Sequence, residues 1–290
     1  MVLDDSGSMS INDGEILMEH GSIRKAIKTS RWKEMGHAAK FHAELANIAK
    51  APTEFCFLNN GAPIVVGEEE DDGENMSKVK KILDGSPSGG TPLVRVLNEI
   101  HAKIKRMEPT LRQRNQKVSL TIFTDGVASD GNLEAVLRKF HHLPVWVVIR
   151  LCTNEDNVVN YWNGIDEDLE LEMDVLDDLI GEAKEVTRFN PWITYGEPLH
   201  RLRESGCHVK LFDHLDEKRM KNSEIVQSVP LILGGKSDDY VHPDLDMKAF
   251  EQSVHVVVSR SPQVWDPLAR RMGPWIKVNK LNGMGCCIIV

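Results

Sequence analysis

The chain is 290 residues long, 41% hydrophobic and 27% charged, which suits a folded protein with one sizeable α/β core and argues against disorder over most of its length. Its formal net charge of −9, with a pI near 5.7, provides no concentration of Lys and Arg for gripping a phosphate backbone, so nucleic acid is excluded as an unspecific partner. Five cysteines without C-x-x-C spacing suggest neither a disulfide framework nor a zinc site, and no run approaches the 18 or so apolar residues of a membrane span. No basic region followed by an apolar stretch opens the chain, so the expected location is intracellular, cytoplasmic or membrane-associated.

Met1-Val2-Leu3 reads as a strand end leading into Asp4-Asp5-Ser6-Gly7-Ser8-Met9. Three residues are very short for a central strand, where about five or six are usual, which leaves room for an upstream piece. Residues 10–30, with Asn12-Asp13-Gly14 and Gly21-Ser22 among scattered apolar positions, read as an inserted loop with one short helix. Ser30 is a candidate N-cap for a helix with Trp32, Met35, Ala39, His42, Leu45, Ala46 and Ala49 at helical spacing, stopped before Pro52. Residues 54–58 and 62–66, joined through Asn59-Asn60-Gly61, predict a β-hairpin whose Pro63 suits an edge strand.

Residues 68–74 hold six acidic residues in seven and read as a solvated loop. Helical character follows over 76–83. The Gly-rich loop Gly85-Ser86-Pro87-Ser88-Gly89-Gly90-Thr91-Pro92 then leads into a helix with Leu93, Leu97, Ile100 and Ile104 on one face. Residues 117–124 form a buried-strand pattern ending at Asp125-Gly126, with a helix over 133–140 and a very apolar strand over 144–151. Cys56 and Cys152 lie inside apolar runs and read as small buried hydrophobes. Beyond residue 153, stretches 158–162, 175–186 and 198–204 look helical, and 207–212 reads as a strand. His37, His42, His141 and His142 are expected to be helix-surface or packing residues rather than ligands.

Strands separated by helices predict an α/β, doubly wound, mostly parallel sheet with one antiparallel edge strand and helices on both faces, Rossmann-like in plan, plus a C-terminal extension. Ligands bind such sheets outside the carboxyl ends of the strands, where Asp4, the loop 85–92 and Asp125 all fall. The donors there are hard oxygens, which suit a small divalent cation.

At these residues the sequence resembles the von Willebrand factor type A (VWA) family. The family's metal-ion-dependent adhesion site uses Asp-x-Ser-x-Ser on a first loop, a Thr on a second and an Asp after the fourth strand. Asp4, Ser6 and Ser8, then Thr91 within Gly89-Gly90-Thr91-Pro92, then Asp125 match all five positions. The resemblance covers residues 1–210 and leaves 211–290 as an extension or small subdomain. It implies Mg2+, with Mn2+ or Ca2+ as substitutes, and a protein ligand whose Asp or Glu completes the metal's shell. A shell built largely of neutral hydroxyls leaves the metal electrophilic, which suits that role. The function expected on this basis is a non-catalytic, metal-dependent protein-binding module.

Two alternatives carry different expectations. Intracellular members of the family serve as assembly modules, which would make the metal structural. A Mg2+-dependent phosphatase of the aspartyl-phosphate type would need a second carboxylate two residues after Asp4, where Ser6 stands. Separately, Cys287-Ile288-Ile289-Val290 fits the C-a-a-X prenylation pattern with Cys286 as a candidate palmitoylation site, although a terminal Val is not among the usual final residues.

Overall fold

The computed structural model describes residues 1–20, 23–70, 73–153, 155–169, 171–207 and 209–281. They fall into two compact units, one of residues 1–178 with Glu204–Gly206, the other of 179–203 with 207 onward. Residues 179–203, expected with the first domain, therefore group with the second unit.

In the first unit, β1 (Val2–Leu3) leads through a short 3-10 turn, Gly7–Ser10, into a hairpin of β2 (Gly14–His20) and β3 (Ile23–Thr29). Then come α1 (Arg31–Ala49), β4 (Thr53–Phe57), β5 (Ile64–Val66), α2 (Glu74–Leu83) and α3 (Leu93–Gln113). β6 (Val118–Thr124), α4 (Leu133–Leu137), β7 (Val145–Leu151), α5 (Asp156–Leu169) and β8 (Met173–Leu176) complete it. The main sheet has the order β5-β4-β1-β6-β7-β8, parallel throughout except for β5, which pairs antiparallel with β4 at the edge.

Alternation along the strands gives the sheet two buried faces. Val2, Cys56 and Ile122 point into one cluster with Leu97, Val136 and Trp162 from α3, α4 and α5. Leu3, Phe57 and Phe123, each the next residue along, join Met35 and Ala39 of α1 and Val79 of α2 in the other. Burial on both faces is why β7 is nearly continuous in apolar residues. Local signals set the helix that flanks the site: the Ser30 side chain accepts from the Lys33 N–H at 3.3 Å, and α1 ends where Lys50 takes a left-handed φ of 49°.

A charge cluster is buried on the α1 side of β7. Arg150 donates through Nη2 to Glu34 of α1, and through Nε to Glu204 Oε1 at 3.2 Å. The other Glu204 oxygen meets His42 Nε2 at 3.1 Å, and Glu34 Oε2 accepts from the Glu15 N–H at 2.8 Å, which ties down the root of the hairpin. His42 is thus a buried partner of a carboxylate.

The second unit is largely helical: α6 (Leu179–Phe189), α7 (Glu197–Glu204, of which the last residue groups with the first unit), α8 (Lys210–Glu217), α9 (Asn222–Leu233) and α10 (Met247–Arg260), with a small hairpin of β9 (Val264–Asp266) and β10 (Arg271–Gly273). It has its own core around Trp192, Tyr195, Phe212, Val229 and Phe250.

Three expectations are corrected. Among the described residues of 10–30, β2 and β3 form a hairpin and there is no α-helix. The helix expected over 175–186 is the end of β8, a break, and the first turns of α6. The strand expected over 207–212 gives way to α8, because Leu211, Phe212 and Leu215 recur at helical spacing against the second core. Among the described residues, no helix is long and apolar enough to cross a membrane.

Candidate metal centre

Four loops meet at the carboxyl edge of β1, β4 and β6. Asp4 follows β1 directly; its N–H donates to the Phe123 carbonyl at 3.0 Å, which continues the sheet ladder by one residue. The fully buried Asp4 carboxylate accepts from the Ser6 N–H at 2.9 Å and from the Thr124 hydroxyl at 2.8 Å. Ser6, in extended conformation, opens the 3-10 turn, and this places Ser6 Oγ and Ser8 Oγ 3.1 Å apart. Ser8 Oγ in turn donates to Asp125 Oδ1 at 2.8 Å. Residues 117 positions apart are thereby joined in one row of oxygens, with Ser6 and Asp125 buried and Ser8 exposed to solvent.

The spacing fits a small octahedral cation. With metal–oxygen distances of about 2.0–2.1 Å, neighbouring ligands of an octahedron stand about 2.9 Å apart. The observed separations of 3.1 Å and 2.8 Å bracket that value, and every donor is an oxygen.

Thr91 reaches the rim through its backbone. Its N–H donates to Ser129 Oγ at 3.1 Å and its carbonyl accepts from the Ser129 N–H at 2.9 Å. The loop that carries it is held against the first loop by Gly7 N–H to the Gly89 carbonyl at 3.1 Å and by Ser88 N–H to the Asp5 carbonyl at 2.7 Å. Gly89 has a φ of +101°, and a Cβ there would stand 2.7 Å from the Asn59 amide oxygen, so the approach needs glycine. The α3 N-terminus is capped from elsewhere: Asp130 accepts from the N–H groups of Val94 at 3.0 Å and Arg95 at 2.8 Å. Among the described residues, no hydrogen bond joins the Thr91 hydroxyl to Ser6, Ser8 or Asp125.

Several participants have no signature in the sequence. Asp5, fully buried, accepts from the Asn59 N–H at 2.8 Å, from Asn59 Nδ2 at 2.9 Å and from Asn60 Nδ2 at 2.6 Å, so it binds the third loop to the first. Arg31, buried at the start of α1, is shared by three carboxylates. It donates to Asp125 Oδ2 at 3.0 Å, to Asp13 Oδ2 at 2.6 Å and to Glu155 Oε1 at 2.8 Å. The second oxygen of Asp125 is thus held by an internal cation while the first faces Ser8. Burial pushes the Asp4 carboxyl up from its ordinary range, the Ser6 and Thr124 hydrogen bonds pull it back, and the nearby Asp125 charge raises it again. Burial opposes the charge on Arg31, but hydrogen bonds to Asp13, Glu155 and Asp125 outweigh it and hold the guanidinium firmly protonated.

Cys56 and Cys152 are buried free thiols, as their apolar runs imply. Cys286 and Cys287 lie outside the described residues. The second unit brings together a group the sequence did not suggest: Glu182, Glu185 and Asp216 offer carboxylate oxygens within 4.8 Å of one another. Arg203 already donates to Glu182 at 2.7 Å and to Asp216 at 2.9 Å, so two of the three carboxylates are engaged by an internal cation.

The chain matches no protein-family model and no curated protein.

Proposed function

We propose that the chain is a VWA-type protein-binding module in which Asp4, Ser6, Ser8, Thr91 and Asp125 hold Mg2+, with Mn2+ or Ca2+ as substitutes, and a partner's Asp or Glu completes the shell. The observation that carries this reading is the Ser6–Ser8–Asp125 row of oxygens, backed by buried Asp4 and open to solvent at Ser8. When bound, the metal supplies a Lewis-acidic anchor for an external carboxylate. The chain's own residues set that anchor: Asp4 orients the first loop through the Ser6 N–H, and Arg31 pairs with one oxygen of Asp125. With two carboxylates, one of them shared with a guanidinium, the shell is short of negative charge, and an acidic partner remedies this.

A hydrolytic role has less support. The position two residues after Asp4 is Ser6, which cannot serve as a carboxylic general acid. A groove of about 650 Å3 beside α3, lined by Glu54, Arg95, Lys103 and Arg106 among others, includes none of the five site residues.

The test is affinity capture with the full chain in Mg2+, in EDTA, and with an Asp4→Ala, Ser6→Ala double variant. The expected outcome is a set of partners present only for the wild type in Mg2+; identical partner sets in all three would overturn the reading and favour a scaffold. Calorimetric titration of MgCl2 gives the independent readout, with binding expected for the wild type and absent in the double variant. Prenylation at Cys287, with Cys286 as a second lipid site, is part of the same proposal. Intact-mass analysis of protein from a eukaryotic host decides it, and an unmodified C-terminus excludes it.

A further inference from the structure

We infer that the β2–β3 hairpin is a second partner-contacting surface beside the metal centre, fitted to a protein segment that carries aliphatic side chains next to its acidic residues. The inference rests on the metal-dependent reading for the acidity of the partner, and on the hairpin itself for the rest.

The hairpin is anchored to the rim. Arg31 ties its root to the candidate metal ligand, with Asp13 on one side of the guanidinium and Asp125 on the other, and the Arg31 N–H donates to the Ile11 carbonyl at 3.0 Å. Gly14, where β2 begins, lies so close to α1 that a Cβ would meet the Glu34 carboxylate at 2.8 Å and the Ser30 carbonyl at 3.0 Å. The strands therefore leave from the same edge that holds Ser8.

The register sorts the side chains. On one face Ile16 stands opposite Ile27 and Met18 opposite Lys25; on the other Glu15 stands opposite Lys28 and Leu17 opposite Ala26. The Glu15–Lys28 pair of opposite charge is what a solvated face needs. The other face is different: Met18 is 47% exposed and Ile27 43%, side by side with half-buried Ile16, and Lys25 faces a thioether rather than a carboxylate. No carboxylate of the described residues pairs with Lys25. Arg24, Lys25 and Lys28 are all exposed on β3 although the chain as a whole carries −9. An apolar strip with a lone lysine, rooted beside a metal that takes a carboxylate, complements a segment in which aliphatic and acidic residues adjoin.

Fluorescence anisotropy with a labelled twelve-residue peptide of alternating aspartate and leucine tests this on the full chain. Peptides with asparagine for aspartate, or serine for leucine, serve as controls. Binding in Mg2+ is expected for the aspartate–leucine peptide, weakened about tenfold in a Met18→Glu, Ile27→Glu double variant and also weakened in Lys25→Glu. All three positions are exposed, and circular dichroism confirms that the variants fold. If the double variant binds within twofold of wild type while Asp4→Ala does not bind, the hairpin inference falls and the metal reading stands. If the double variant is weakened but EDTA has no effect, the metal reading falls and the hairpin inference stands. Failure of the aspartate–leucine peptide to bind the wild type, or equal binding of the aspartate–serine control, overturns the inference. So does concentration-dependent self-association that is lost in the double variant, since it would assign the strip to a second copy of the chain.

Discussion

Replacing Arg150 with methionine removes the guanidinium that stands between Glu34 and Glu204 on the inner face of β7. The side chains are 1% exposed for Arg150, 9% for Glu34 and 0% for Glu204, so water cannot take over the lost ion pairs. Breaking a buried pair from one side costs about 3–5 kcal/mol, because the charge left behind stays buried. Against a total stability of about 5–15 kcal/mol, that is about a fifth or more of what holds a domain together. A triple variant, Arg150→Met with Glu34→Gln and Glu204→Gln, removes the stranded charges but leaves amide oxygens able to accept from the Glu15 N–H and to meet His42; most of the loss should return. Because the chain contains two compact units, one global melting curve is a poor readout. Hydrogen exchange of peptides spanning β6 and β7 across a urea series reports this unit alone. A loss below about 1 kcal/mol in Arg150→Met, or a triple variant no more stable than the single one, would refute the reasoning.

The Asp5→Ala variant deprives Asn59 and Asn60 of three hydrogen bonds to a buried carboxylate. A loss of about 2–3 kcal/mol is expected, because both asparagines are exposed and partly rehydrate, with faster exchange over residues 58–62; unchanged exchange there would remove Asp5 as a brace. Glu224 is held below the usual carboxylate range, first by the Lys221 N–H and then, against burial, by Lys218 and His214. A depressed native pKa contributes stability above the unfolded value near 4.3 that is lost as pH falls through the native value, so the gap between wild type and Glu224→Gln, about 1 kcal/mol at most, should be level from pH 6 to 8 and close in acid. A gap that widens on acidification contradicts the assignment. Burial pushes the Cys56 thiol up to about 11, which at pH 8 leaves about 0.1% thiolate. Alkylation of native Cys56, followed by peptide mass spectrometry, should therefore run at least a hundredfold slower than for a free peptide thiol, and a rate within tenfold would show that the site opens readily.

The parts of the site readable from sequence were those whose chemistry is written in neighbouring residues. Asp4, Ser6 and Ser8 share one loop, and Asp125 follows a strand that Val118, Leu120, Ile122 and Phe123 mark out. Arg31 could not be read in this way, since its partners Asp125 and Glu155 lie 94 and 124 positions away. Asp5 was hidden by its neighbour: two adjacent aspartates look alike until the strand turns one toward Ser6 and the other toward Asn59. The hairpin escaped because Ile16-Leu17-Met18 breaks the alternation expected of a strand with one solvated face. Residues 207–212 failed in the opposite sense, an alternating stretch too short to show that Leu215 extends it as a helix. The mostly parallel sheet and its antiparallel edge were legible because strand-like runs separated by helices allow few topologies.

The two-residue β1 has a consequence for the order in which the molecule forms. Val2 pairs with Cys56 on one side and Ile122 on the other, so the central rung of the sheet joins positions 54 and 120 residues apart. So short a strand contributes few contacts of its own and has no place to dock until β4 and β6 stand beside it. Asp4, Ser6 and Ser8 are synthesised well before Asp125, yet they acquire their geometry only once it is in place. The segment that reads most clearly as a site is among the last to become one, and any event that separates β4 from β6 dismantles it before the rest of the sheet.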